Sequence, residues 1–249
     1  MARLPRLDVP GLPHLLMQRA HNLGRCVADD IDAQVWQAAL QQACRDQGVA
    51  LHGWALWPQG FLLLLTPSRA GALGLLMQSL GRRYAAHFNR RHGRSGGLWD
   101  GRFRVTVLEP PVHVLDALQL LVGADGHRAI ALGREASAGP AAPPTWSSAE
   151  HALGRRRDPL VQDAPAWWTL GNTPFERESA WARRLDAGLP EARARHIAEA
   201  VDKGWVVGSP AFTDEVARLA RRPTRPRPRG RPRRDAAAAA VGVPLDRRA

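Results

Sequence analysis

Lysine is almost missing from this 249-residue chain: Lys203 is the only one, so 34 of its 35 basic side chains are arginine. The codons of a GC-rich genome would account for that ratio, but not for where the arginines fall. Tyrosine occurs once, at Tyr84. Cysteine occurs twice, at Cys26 and Cys44, too few for a disulfide framework and in keeping with a reducing compartment. No window approaches the ~18 apolar residues of a membrane span. The opening MARLPRLDVPG has no hydrophobic signal segment. A soluble, cytoplasmic, nucleoid-associated protein with no membrane partner is the expectation.

What the chain does have is positive charge, in two places. The net charge is +12. From Arg221 to the end, ten arginines face Asp235 and Asp246, a net of +8. Between Gly81 and Arg104, Arg82, Arg83, Arg90, Arg91, Arg94, Arg102 and Arg104 face Asp100, a net of +6. The rest of the chain therefore carries about −2. Two basic segments on a near-neutral body imply a polyanionic partner. The arginine fork suits phosphate because it can donate two parallel hydrogen bonds.

The periodicity reads β-α-β-β-α-β-α. Residues 12–20 form a first strand, and Asp29 or Asp30 caps a helix running to about Gln47. That helix would bury Ile31, Val35, Ala39, Leu40 and Ala43. Strands at 49–57 and from Phe61 to Thr66 flank a Pro58-Gln59-Gly60 turn, a hairpin signal. Leu73, Leu76, Leu80, Tyr84 and Phe88 line one side of a second helix, leaving Arg82, Arg83 and Arg90 off the stripe. A strand at 102–109 and a helix from Pro110 to Gly123 follow. This is an α+β order of the ferredoxin-like, split βαβ kind, with an antiparallel sheet and packed helices.

After a linker at 137–145 the chain reads as helical over about 176–187, 190–203 and 210–221, with Ser209-Pro210 as an N-cap pair. The last two helices are joined by GWVVGS, which allows a helix-turn-helix as well as ordinary helical packing. Three units are expected: a DNA-binding domain over 1–136, a linker and helical extension over 137–221, and a disordered Arg/Pro-rich tail over 222–249. Within the tail, Pro228-Arg229-Gly230-Arg231-Pro232 is like an AT-hook core, which lays two arginines into a narrow minor groove. In the middle stretch, Trp99 and Phe103 are candidates for stacking on unpaired bases.

Several of these stretches together resemble the REP-associated tyrosine transposases of the single-tyrosine HUH superfamily. They are the N-terminal MARLPRLDVPGLPHLLMQRAHN, LHGWALWP, GRRYAAHFNRRHGRSGGLWDGRF, HRAIALG, TWSS, and GWVVGSPAF followed by RPRGRPRR. The resemblance implies binding to palindromic-repeat hairpins with adjacent single-stranded DNA, often as a homodimer. It also implies a His-hydrophobe-His pair on a strand holding Mg or Mn, and a tyrosine that forms a 5′-phosphotyrosine link.

The required groups are not where the resemblance puts them. Residues i and i+2 on a strand share a face, so two histidines at that spacing can share an ion. Aligned on Leu56-Trp57-Pro58, the two positions are Gly60 and Leu62. Aligned on His127-Arg128-Ala129, the nucleophile position is Leu121, with Asp125 a nearby polar group. No two of the nine histidines are two residues apart, so a shifted alignment does not recover the pair. The expectation is a DNA-binding relative that does not cut and uses no metal cofactor. Its phosphate contacts would be Arg82, Arg83, Arg90, Arg91, Arg94, Arg102 and Arg104, with Arg229 and Arg231 on flanking duplex. Two alternatives stay open: an active transposase with an unconventional site using Tyr84, and an RNA-binding or regulatory protein on the same scaffold.

Overall fold

The apolar residues on either side of Pro58-Gln59 pair as a hairpin, with Trp57 opposite Gly60 and Leu51 opposite Leu65. In the computed structural model, which describes residues 5–123 and 146–226, this hairpin is the centre of one sheet. Its strands are β1 (His14–Arg19), β2 (Val49–Trp57), β3 (Gly60–Pro67), β4 (Arg104–Val107) and β5 (Trp146–Ser147). Every pairing is antiparallel, in the order β4-β1-β3-β2-β5. The first four have the order of a ferredoxin-like sheet. The short edge strand β5 falls in a stretch whose periodicity reads as linker and helix; two residues are too few to register a period.

Helices α1 (Asp30–Gln47) and α2 (Ala72–Arg91) cover one face. Asp29 caps α1 by accepting from the Ile31 and Asp32 amides, and Gly48 ends it in the left-handed region. The buried stripe of α1 is rotated from the one expected. Ala33, Trp36, Leu40, Ala43 and Cys44 are enclosed, while Ile31 is exposed. Trp36 sets the rotation: its ring packs 5.0 Å from Phe61 and 5.6 Å from Trp54, and an indole removes more apolar surface from water than an isoleucine. On α2 the expected stripe of Leu73, Leu76, Leu80, Tyr84 and Phe88 is the buried one.

The opposite face is covered by α3 (Val112–Val122), which is buried at every position from Val114 to Val122. Its far side is closed by α5 (Pro174–Ala187) and α6 (Glu191–Lys203), with the short α4 (Ala149–Ala152) preceding them. Buried Asp116 on α3 pairs with Arg184 and, at 3.5 Å, with Arg193. Trp167 and Trp181 meet edge-on at 5.5 Å in the same apolar cluster. The last helix, α7 (Pro210–Ala220), is capped by Ser209 and contributes Val216 to the α1/α2 side of the sheet, whereas α6 contributes Ile197 and Val201 to the α3 side. The two helices straddle the sheet edge and do not form a helix-turn-helix. Their connection is pinned there by a parallel bridge between Val207 and Leu108. None of the helices described is long and apolar enough to cross a membrane.

His14, at the start of β1, is fully buried. Its Nδ1–H donates to the Leu12 carbonyl at 2.7 Å, and its Nε2 accepts from the Val9 amide at 3.2 Å. Both nitrogens are thus used by the neutral ring, and burial pulls its pKa from 6.5 to about 4. The unfolded chain takes up this proton first. Stability should therefore be intact above about pH 6.5 and fall by about 3 kcal/mol as the pH drops to 4. His52, held between the Gln162 carbonyl and Thr66 Oγ1, is shifted the same way by burial and adds to the loss. Urea midpoints measured from pH 7.5 to 4.5 test this, and a flat profile would refute it.

Candidate nucleic-acid interface

Gly60 and Leu62 lie on the α3 side of β3, and Leu121 faces the same layer from α3. Leu62 and Leu121 are fully buried members of one apolar cluster with Leu15, Met17, Ala55 and Trp57. Leu118 and Leu121 lie over Gly53 of β2, where a Cβ would stand 2.8 Å from a Leu118 methyl. The glycine lets α3 approach the sheet. The positions to which the resemblance assigns metal ligands and nucleophile are thus brought to one side of the sheet, where they hold hydrocarbon or hydrogen. Those residues do not fit a divalent ion, and the described residues contain no group of three or more His, Cys, Asp or Glu that could hold one. Asp125 and His127-Arg128-Ala129 lie outside the described residues.

Tyr84 is fully buried on the other side of the sheet. Its hydroxyl donates to the Cys26 carbonyl at 2.6 Å, and burial pushes its pKa far above the ordinary phenol value. A phosphate in solution cannot reach this oxygen, which removes the basis for a nucleophilic Tyr84. Phe103 is buried, contrary to the expectation that it stacks on bases, and Trp99 is partly buried against the core. Trp99 donates to the Gly81 carbonyl and packs edge-on against Phe61 at 5.5 Å. Phe103 is buried beneath the Arg6 guanidinium, 3.9 Å from its ring centre. The alternation around residue 103 reports a buried face and not whether the ring is open to a ligand.

The seven arginines of the middle stretch fall into three settings. Arg91 lies at the surface but is paired within the fold: it donates to Asp29 at 2.7 and 2.9 Å and to fully buried Asp32 at 2.7 Å. That pairing holds the Asp29 carboxyl down at about 2 and the guanidinium above its usual value. Arg82, Arg83 and Arg90 stand on the exposed side of α2, where among the described residues Arg83 makes a loose contact to Asp46 at 3.9 Å. Arg94 follows in the glycine loop, which is shaped by Asn89 donating to the Gly96 carbonyl and accepting, through its own carbonyl, from the Arg94 amide.

Arg102 and Arg104 line a cleft of about 470 Å³ together with Arg6, Lys203 and Arg222. Arg104 reaches Asp202 at 3.5 Å, and Asp202 also holds Arg19 at 2.8 Å. Arg6, Lys203 and Arg222 are absent from the sequence-based set because no local pattern connects residues 6, 203 and 222. Arg229 and Arg231, with the AT-hook-like core, lie outside the described residues.

No protein-family model matches the chain, and no curated protein matches it. Among solved structures it is similar to a REP-associated tyrosine transposase bound to a REP hairpin, over 67% of this chain and 93% of that one, at 13% identity and a TM-score of 0.44. It is also similar to a candidate transposase from Deinococcus radiodurans R1, over 44% of this chain and 88% of that one, at 20% identity and a TM-score of 0.35.

Proposed function

We propose that this chain is a DNA-binding protein of the REP-associated tyrosine transposase kind that holds hairpin or single-stranded DNA without cutting it. One contrast carries the reading. Arg82, Arg90 and Arg102 are exposed and have no acidic partner among the described residues, while Gly60, Leu62 and Leu121 offer neither ligand nor nucleophile. Exposed guanidiniums of this kind neutralise backbone phosphates and release counterions, which makes affinity fall steeply with salt. On sequence grounds, Arg229 and Arg231 add contacts to flanking duplex.

The test is a salt-dependent titration on hairpin, single-stranded and duplex DNA, with an RNA hairpin of equal sequence in parallel, in magnesium or manganese. Retention of hairpin and single-stranded DNA is expected, with log K falling by about 0.7 per decade of salt for each phosphate neutralised on a single strand. Arg82→Gln with Arg90→Gln should reduce that slope by about 1.4 and leave the fold intact. Absence of binding at low salt overturns the proposal, and so does preference for RNA. A nick or a covalent protein–DNA adduct overturns the non-cutting half.

A further inference from the structure

The cleft lined by Arg102 and Arg104 is built from three distant parts of the chain. Residues 5 and 6 form one wall, residues 100–105 the floor into β4, and residues 202–205 with Arg222 the other wall. Five cationic side chains line it, against the carboxylates of Asp100 and Asp202, and Asp202 is already shared between Arg19 and Arg104. The uncommon feature is Arg222, only 8% exposed. A buried guanidinium ordinarily faces a carboxylate. Among the described residues Arg222 instead donates to carbonyls, those of Pro5, Gly204 at 2.8 Å and Pro223 at 3.0 Å. Each terminal nitrogen keeps a second N–H beyond those bonds.

Arg6 is placed in a similar way. Its Nε donates to the Phe103 carbonyl and its Cζ lies over the Phe103 ring, so the guanidinium is held while its terminal nitrogens have no partner among the described residues. Burial and the nearby positive charge of Arg102 both lower its pKa. Burial does the same to Arg222. Of these causes, the repulsion between Arg6 and Arg102 reflects cationic charge gathered in the cleft.

We infer that this cleft binds a phosphate group, held by Arg6, Arg102 and Arg222, and that it accepts one nucleotide of a single strand. Its volume is in the range of pockets that take one small ligand and not a duplex. The phosphate chemistry stands on the cleft alone. The strand as its source rests on the nucleic-acid reading above.

The test uses the full chain and the double variant Arg6→Gln, Arg102→Gln, which spares the more deeply buried Arg222. Two probes are used, an oligothymidylate single strand and inorganic pyrophosphate, the first read by affinity and salt slope and the second by thermal shift. The cleft variant should bind the single strand at least tenfold more weakly, with a salt slope shallower by about 1.4, and pyrophosphate should raise the melting temperature of the wild type only. If the wild type binds pyrophosphate but no nucleic acid, the source is a free phosphate compound, and the strand assignment and the DNA reading are both overturned. If strand affinity and slope are unchanged in the cleft variant but lost in Arg82→Gln with Arg90→Gln, the cleft is not a phosphate site and the DNA reading stands.

Discussion

Gly60→His, the change that would begin to rebuild a metal-binding pair on β3, should destabilise the protein by about 3 kcal/mol or more and give no metal-dependent activity. Gly60 has φ +156 just after the Pro58-Gln59 turn of the hairpin, a backbone region that side chains rarely adopt. A Cβ built there would fall inside contact distance of the Gln18 carbonyl oxygen and stand 3.1 Å from the Arg19 Cα. Both are backbone atoms of the neighbouring interior strand β1, so relief requires moving the sheet and not rotating a side chain. The Cβ alone creates the conflict, so Gly60→Ala should cost nearly as much as Gly60→His. Adding Leu62→His would further place an imidazole in an apolar cluster without a partner. Urea unfolding of the two single variants is the measurement. A Gly60→Ala midpoint within about 0.5 kcal/mol of wild type would mean that β1 does not pass where the described register puts it.

Arg91→Ala should destabilise the protein, because it leaves the Asp32 carboxylate enclosed with its main cationic partner gone. Asp32 would keep the Ala28 amide at 2.9 Å and His92 at 2.9 Å, which limits the loss. Arg90→Ala, one residue earlier on the exposed side of α2, should change stability by less than about 0.5 kcal/mol while weakening DNA binding. Adjacent arginines in one basic run are thus expected to have opposite phenotypes. Acid adds a second readout. Because Arg91 holds Asp29 at about 2, the stability from that pair is present above the unfolded carboxylate pKa near 4 and is lost as the pH falls toward 2. Arg91→Ala should flatten that part of the profile. Chemical denaturation at pH 7, and in steps from pH 5 to 2, measures both effects. A wild-type midpoint in the variant would return Arg91 to the set of free phosphate contacts.

The order of strands and helices could be read from spacing, since a two-residue or a 3.6-residue period leaves its mark within ten residues of chain. The hairpin about Pro58-Gln59 and the α2 stripe through Tyr84 were legible for that reason. So was the lack of ligands at positions 60 and 62. The rotation of α1 was not, because Ile31 and Trp36 both belong to apolar patterns, and only the sheet decides which is covered. Nor was β5, two residues of an edge strand.

By itself the sequence determined that this chain is arginine-rich in two segments, folds around an antiparallel sheet, and carries a single tyrosine and no two histidines two residues apart. Tertiary structure alone decided what each arginine does. Arg91 is neutralised by carboxylates some sixty residues away, while Arg222 is buried against the carbonyls of Pro5 and Gly204 with no carboxylate paired to it among the described residues. The physical reason is range. Periodicity reports which side of an element a residue occupies, whereas whether a charge is paired depends on what the folded chain brings within about 4 Å of it.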